Sequence, residues 1–176
     1  RGRFELLEVL RSGAHCVSRR ENGRSTIRRY MTPSHANEQP AGGARPWTPV
    51  TLGADVPAPK GAYSPGVRAG DLLFVSGQVP RDPRTGELVG GDDFAAQARQ
   101  VLANVRGVLE AGGATVADVV SVTVWVTNVD DWATFDAVYR ETFSPPYPTR
   151  AVVGATLRGI LVEVAAVAYV GRGGTR

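Results

Sequence analysis

Between Asp92 and Gly113, apolar side chains return every three or four positions. Phe94, Ala98, Val101, Leu102, Val105 and Leu109 fall on one stripe, the pattern of an amphipathic helix. Asp92 or Asp93 can cap its start, and Gly112 is expected to supply a left-handed stop. A second helix is predicted over Asp130–Phe143, with Trp132, Phe135, Val138 or Tyr139, and Phe143 turned inward. Between the helices the period changes to two. Val119–Asn128 is a β-branched strand, with Ser121, Thr123 and Trp125 on one face and Val120, Val122, Val124 and Val126 on the other. Gly70–Pro80 is a short apolar run bounded by Gly and Pro and also reads as a strand. The following "RDPRTGELV" holds a Pro turn and a Thr-Gly turn. Tyr147–Val170 predicts two strands joined by a tight turn at Arg158-Gly159. Its second strand is apolar on both sides. Val162, Val164, Ala166, Ala168 and Val170 share one, and Leu161, Ala165, Val167 and Tyr169 share the other.

The order strand, strand, helix, strand, helix, strand, strand predicts an α+β layer, a mostly antiparallel sheet with both helices on one face. Two helices cover one face of a sheet whose last strand is apolar on both. The second face is therefore expected to meet another subunit, making a homo-oligomer.

Residues 1–48 follow no such pattern. "RSGAHCVSRRENGRSTIRRY" has no sustained period, and "MTPSHANEQPAGGARP" is polar and rich in Pro and Gly. Such a composition does not bury enough surface to offset ordering entropy. "FELLEVL" has length for one or two helical turns, which are marginal alone. The expectation is a disordered basic extension over 1–48 and a folded domain over 49–172. Met31, the single methionine, is expected to be the natural start, with residues 1–30 a leader or an artefact. A basic arm for nucleic acid or membrane is the functional alternative.

Charge divides at the same place. Residues 1–48 hold nine Arg against four Glu, a net of +5, and residues 49–176 hold eleven basic groups against thirteen acids, a net of −2. The domain thus lacks the electrostatic footprint of a nucleic-acid-binding surface. No apolar run reaches the ~18 residues of a membrane helix, and no N-terminal apolar h-region is visible. The single cysteine, Cys16, excludes an internal disulfide and fits a reducing, cytoplasmic setting.

The two ionisable groups of the last apolar stretch are the candidate chemistry. Glu163 shares a face with Leu161, Ala165 and Val167. A carboxylate there needs pairing, hydrogen bonds or a proton, and desolvation raises its pKa into the useful acid–base range. The bland alternative is a sheet-edge Glu facing water. Arg150, at a strand start after Pro148 and Thr149, offers a rigid fork for a carboxylate or phosphate. With a two-residue turn, Gly154 lies opposite Glu163, and Arg150 is on the same face roughly 13 Å further along. That separation is too long for a direct pair but leaves open one ligand held across a subunit boundary.

"GAYSPG" (61–66) and "VSGQVP" (75–80) add irregular spots where Gly allows close backbone approach, Ser76 offers a hydroxyl and Tyr63 a flat wall. Both histidines, His15 and His35, lie in the N-terminal segment. The domain therefore has no His base, no Cys nucleophile and no Cys/His metal site, and it matches no P-loop or dinucleotide fingerprint. Asp92-Asp93 and Asp130-Asp131 read as helix caps rather than metal ligands.

Taken together, "GAYSPGVRAGDLLFVSGQVPRDPRTGELV", "QARQVLANVRGVLEAGGATVADVVSVTVWVTNVDDWATFDAVY" and "PTRAVV…VEVAAVA" resemble the RidA/YjgF family of reactive intermediate deaminases, over about Pro59 to Val170. The resemblance implies a chorismate-mutase-like fold, a homotrimer with active sites in clefts between subunits, and hydrolysis of enamines and imines such as 2-aminoacrylate to 2-keto acids and ammonia. It implies no metal and no organic cofactor, and small-molecule substrates rather than nucleic acid or membrane. By the same resemblance, Arg150 clamps the substrate carboxylate and Glu163 positions and activates water. Tyr63, Ser76 and Gly77 line the cleft, and Val152 contacts the carboxylate through its backbone. Departures are Ala151-Val152 in place of a Ser-Cys pair, a short "LRGI" turn, and Asp136 in place of a cleft asparagine, where it is expected to repel an anion. The alternatives are a non-catalytic trimer binding small carboxylates and, third, a ribonuclease. The absence of His and Cys from the domain argues against the last.

Overall fold

The computed structural model describes residues 15–21 and 24–30 by their backbone, and residues 45–53 and 56–171 in full. The chain divides into two compact units, Arg1–Ala44 and Arg45–Arg176. In the first, strand β1 (His15–Glu21) pairs antiparallel with β2 (Arg24–Tyr30), from His15 opposite Tyr30 to Glu21 opposite Arg24. A segment read as aperiodic thus pairs as a ribbon. The sequence between the strands, Asn22-Gly23, is the dipeptide that most favours a two-residue hairpin turn. The expected short helix at 4–10, Met31 and the Pro/Gly-rich stretch to 44 lie outside the described residues.

The second unit is an α+β layer. Its strands are β3 (Thr48–Pro49), β4 (Gly66–Ala69), β5 (Leu72–Gln78), β6 (Val119–Val126), β7 (Thr149–Gly154) and β8 (Val162–Tyr169). Its helices are α1 (Phe94–Ala111) and α2 (Trp132–Thr142). The sheet order is β3-β4-β5-β8-β6-β7, antiparallel throughout except for the parallel pair β6/β7. The expected hairpin of the last two strands is therefore replaced by a different pairing: β6 lies between β7 and β8. The cause is burial. β8 is the strand apolar on both faces, and it takes an interior place between β5 and β6. β7, with exposed residues along its length, is left at the edge. α2 is the crossover that a parallel β6/β7 pair requires.

One face of the sheet meets α1. The helix buries Phe94, Ala98, Val101, Leu102, Val105 and Leu109 against Leu73 and Val75 of β5, Val122, Val124 and Val126 of β6, and Val162 and Val164 of β8. Each Val, Leu or Phe side chain so buried contributes about 1.5–3 kcal/mol. Four local expectations change. A bulge shifts the β6/β8 register between Val119 and Ser121, so Val119 turns inward and Val120 outward. Trp132 opens α2 exposed, its ring near Arg150 rather than in the core. Gly112 has φ −85, and the left-handed residue is Gly113 at φ +79. A side chain at Gly112 would meet Leu73, so its role is close packing of the helix end on β5. Asp93 caps α1 by accepting from the Ala96 N–H at 3.0 Å. Neither Asp130 nor Asp131 caps α2 with its side chain. A one-turn 3₁₀ segment precedes that helix, which moves the cap to Asn128, accepting from Asp130 N–H.

The opposite face carries no helix of this unit among the described residues. Phe74, Val153 and Tyr169 are 43–49% exposed on it. Two buried polar residues of α1 tie down the loops that frame the sheet. The Asn104 amide donates to the carbonyls of Val79 (2.8 Å) and Arg81 (2.9 Å), and Gln97 Oε1 accepts from the Leu161 N–H at 2.8 Å. The Val79 carbonyl keeps the Arg81 N–H at 2.8 Å, so Asn104→Ala strips the donor from the Arg81 carbonyl. At about 1–3 kcal/mol for such a loss, the variant is expected to lower unfolding stability by about 2 kcal/mol in urea denaturation.

Candidate active site

Arg150 sits opposite Val122 in the parallel β6/β7 ladder, so its side chain leaves the sheet on the helix-covered side. There α2 presents Asp136 and Arg140, one helical turn apart. Arg150 Nη2 donates to Asp136 Oδ1 at 2.8 Å. Arg140 donates Nε (3.0 Å) and Nη2 (2.8 Å) to Asp136 Oδ2. The Arg150 guanidinium carbon lies 4.6 Å from the Tyr139 ring centre, 5.7 Å from Trp132 and 5.9 Å from Phe135, an aromatic box that suits a cation. Hydrogen bonds from Arg150, then Arg140, hold the Asp136 carboxyl below its usual pKa. Asp136, expected to repel an anion, is thus met by two guanidinium groups, and the trio carries a net +1. A cavity of 270 Å³ opens beside it, lined by Asp136, Tyr139, Arg140, Tyr147, Pro148 and Arg150. The Tyr139 hydroxyl is buried with no hydrogen-bond partner among the described residues, and burial pushes its pKa up to about 12.

Glu163 lies opposite Trp125. It therefore stands on the sheet face away from the helices, whereas Arg150 stands on the other. The shared face expected from a hairpin does not exist, because an intervening strand replaces the hairpin. Glu163 is half-buried, and desolvation raises its carboxyl pKa above the ordinary 4.5. What accommodates it is a bulge. Between Val75 and Gln78 the β5 strand spends one residue more than β8 does between Ala166 and Val164. Bulges of this kind often re-aim side chains beside active sites. Here the Glu163 carboxyl packs directly on Gly77, where any side chain would collide with it. Ser76 in the same bulge donates its hydroxyl to the Ser64 carbonyl at 2.7 Å. Exposed Tyr63 and Gly77 line a small cleft with Pro57, Lys60 and Arg81. Val152, paired with Val124, turns its half-buried side chain toward the core. Its strand is the sheet edge, so backbone groups facing away from β6 are open to a ligand.

The residues singled out from the sequence thus form two clusters on opposite faces: Arg150 with Asp136, and Glu163 with Gly77, Ser76 and Tyr63. Val152 belongs to the edge that carries Arg150. Sequence reasoning passed over Arg140 and Tyr147 and took Tyr139 only as a core position, an alternative to Val138. The four-residue spacing of Asp136 and Arg140 was the available signal for the first.

Known proteins resemble this chain over the second unit. A family model described as Endoribonuclease L-PSP matches residues 53–170. A RutC family protein of Pyrococcus horikoshii is 42% identical over 122 residues, 68% of this chain and 96% of that protein. The 2-iminobutanoate/2-iminopropanoate deaminase of Escherichia coli K12 is 39% identical over 119 residues, 65% of this chain and 91% of its own. The crystal structure of RidA from an Antarctic Psychrobacter superposes with a TM-score of 0.64 at 37% identity, covering 69% of this chain and 99% of that one.

Gly77→Ala is expected to push the Glu163 carboxyl out toward water. Carboxyl NMR titration then reads a Glu163 pKa above 4.5 in the wild type and a fall toward that value in the variant. An unchanged titration would contradict the packing described.

Proposed function

Because the chain belongs to the Endoribonuclease L-PSP family, the RidA/YjgF family that includes proteins named 2-iminobutanoate/2-iminopropanoate deaminase, we propose that it hydrolyses reactive enamines and imines of the 2-aminoacrylate kind to 2-keto acids and ammonia. The observation that carries this reading is the Arg150 guanidinium, fixed by Asp136 and by aromatic rings at the wall of a cavity.

Arg150 takes the substrate carboxylate through its remaining N–H groups, a charge-assisted contact that also fixes orientation. The enamine first tautomerises to the imine. Glu163, as carboxylate, accepts a proton from water as the water oxygen bonds to the imine carbon. The C=N electron pair moves to nitrogen. Glu163 then returns the proton to nitrogen, giving the carbinolamine. In a second cycle it takes the hydroxyl proton and passes it to the amino nitrogen as the C=O bond forms and the C–N bond breaks, so that ammonia leaves with the 2-keto acid. A carboxyl whose pKa is raised by burial suits both directions of that transfer. The reaction as written needs water, one acid–base group and a carboxylate clamp.

Arg150 and Glu163 lie on opposite faces of one sheet, so a ligand touching both is expected to take one group from each of two copies. We therefore propose a homotrimer of chorismate-mutase-like subunits, with the uncovered face that carries Phe74, Val153 and Tyr169 as the contact surface. Tyr63, Ser76 and Gly77 then complete the cleft on the Glu163 side, and the Val152 backbone completes it on the Arg150 side. A second reading, a trimer that binds small carboxylates without turnover, is favoured by one observation: Asp136 already occupies part of the Arg150 fork.

The test is pyruvate release from 2-aminoacrylate, generated in place from serine by a dehydratase, over the spontaneous background. Wild type is expected to accelerate it, Arg150→Ala to raise KM about tenfold or more, and Glu163→Gln to lower kcat about 100-fold. As pH falls, Glu163 takes its proton earlier than an ordinary glutamate. The acid limb of kcat is therefore expected above pH 4.5 and is lost in Glu163→Gln. Carboxylate binding without acceleration would favour the second reading.

A further inference from the structure

We infer that Asp136 and Arg140 act as one positioning unit for Arg150, in which Asp136 fixes the guanidinium and Arg140 cancels the charge that this costs, so that the cavity selects a singly charged carboxylate. The inference rests on the carboxylate-clamp reading of Arg150 and names its substrate class.

The division of labour is visible in the oxygens of Asp136. Oδ1 takes one N–H of Arg150, and Oδ2 takes two of Arg140. The side chains of Asp136 and Arg150 are 19% and 18% exposed, whereas that of Arg140 is 64% exposed at the rim. The hydrogen bond that Arg150 donates to Oδ1 and the Tyr139 ring 4.6 Å away hold the Arg150 fork in one plane. Bidentate recognition of a carboxylate needs that fixed plane. A lone Asp–Arg pair, however, is neutral and has little left to attract an anion. Arg140 restores the balance: two guanidinium groups and one carboxylate leave a single surplus positive charge facing the cavity. That charge suits a 2-imino acid with an uncharged side chain. With Arg150 taken by the first carboxylate and Arg140 turned to Asp136, a second carboxylate would find no third cation among the described lining residues and would face Asp136 itself.

The test uses the full chain and two unreactive anions, pyruvate and 2-oxoglutarate, titrated by NMR at low salt. Wild type is expected to bind pyruvate more tightly than 2-oxoglutarate. Arg140→Ala should weaken pyruvate binding about tenfold. Asp136→Asn keeps an acceptor for Arg150 while adding a net positive charge, and should tighten both anions and narrow the preference between them. The double variant should bind pyruvate within about threefold of wild type, since the two charge changes cancel. Arg140 is exposed, so its variant should melt near the wild-type Tm, which separates a charge effect from unfolding. The inference falls if Arg140→Ala binds pyruvate like wild type, or if the double variant is no better than Arg140→Ala. If wild type binds neither anion, the carboxylate clamp itself falls and takes the unit with it.

Discussion

A strand that is apolar on both faces has to be covered on both, and β8 imposes that requirement on everything around it. Val162, Val164, Ala166 and Ala168 demand a helix, and α1 supplies one. The same demand moves β8 into the sheet interior and sends β7 to the edge. From these two moves follow the β6–α2–β7 crossover, the placement of Arg150 under α2, and the uncovered face on which Glu163 stands. The two ionisable groups of the C-terminal stretch stand on opposite faces of the sheet because that strand has to be central.

What periodicity encodes was legible. The α1 stripe, the valine face of β6 and the two-sided apolarity of β8 can be read directly, because side-chain spacing along one element is a local property. Strand partners are not local. Nothing in "TRAVVG" or "VEVAAVAY" says that β6 will come between them, and a short Arg-Gly stretch mimics a hairpin turn. The bulges at Val119/Ser121 and at Ser76-Gly77 were hidden for the same reason, since a bulge is a relation between two strands. The left-handed position after α1 moved by one residue to Gly113, within the ordinary uncertainty of helix ends.

The candidate site divides along similar lines. Glu163 stood out because a carboxylate among apolar neighbours is locally anomalous. Arg150 stood out at a strand start. Asp136 looked like a defect when considered alone, because its meaning depends on Arg140 and Arg150, brought to it by helix pitch and by the crossover. The aromatic box of Trp132, Phe135 and Tyr139 was read as core. Two of its members are core, and all three also face a cation.

The central position of β8 also has a meaning in time. β8 follows both strands it pairs with, and its partners in β5 lie 86 to 97 positions earlier in the chain. While a nascent chain lengthens past β7, β5 and β6 have no common neighbour, and their facing edges and the α1 stripe stay unsealed. The domain is thus closed by a late, long-range insertion rather than by successive hairpins. Such a topology folds slowly for its size, because loop closure comes before the contacts that reward it. The vulnerable species is then the nearly complete chain, whose two open strand edges are available to other chains.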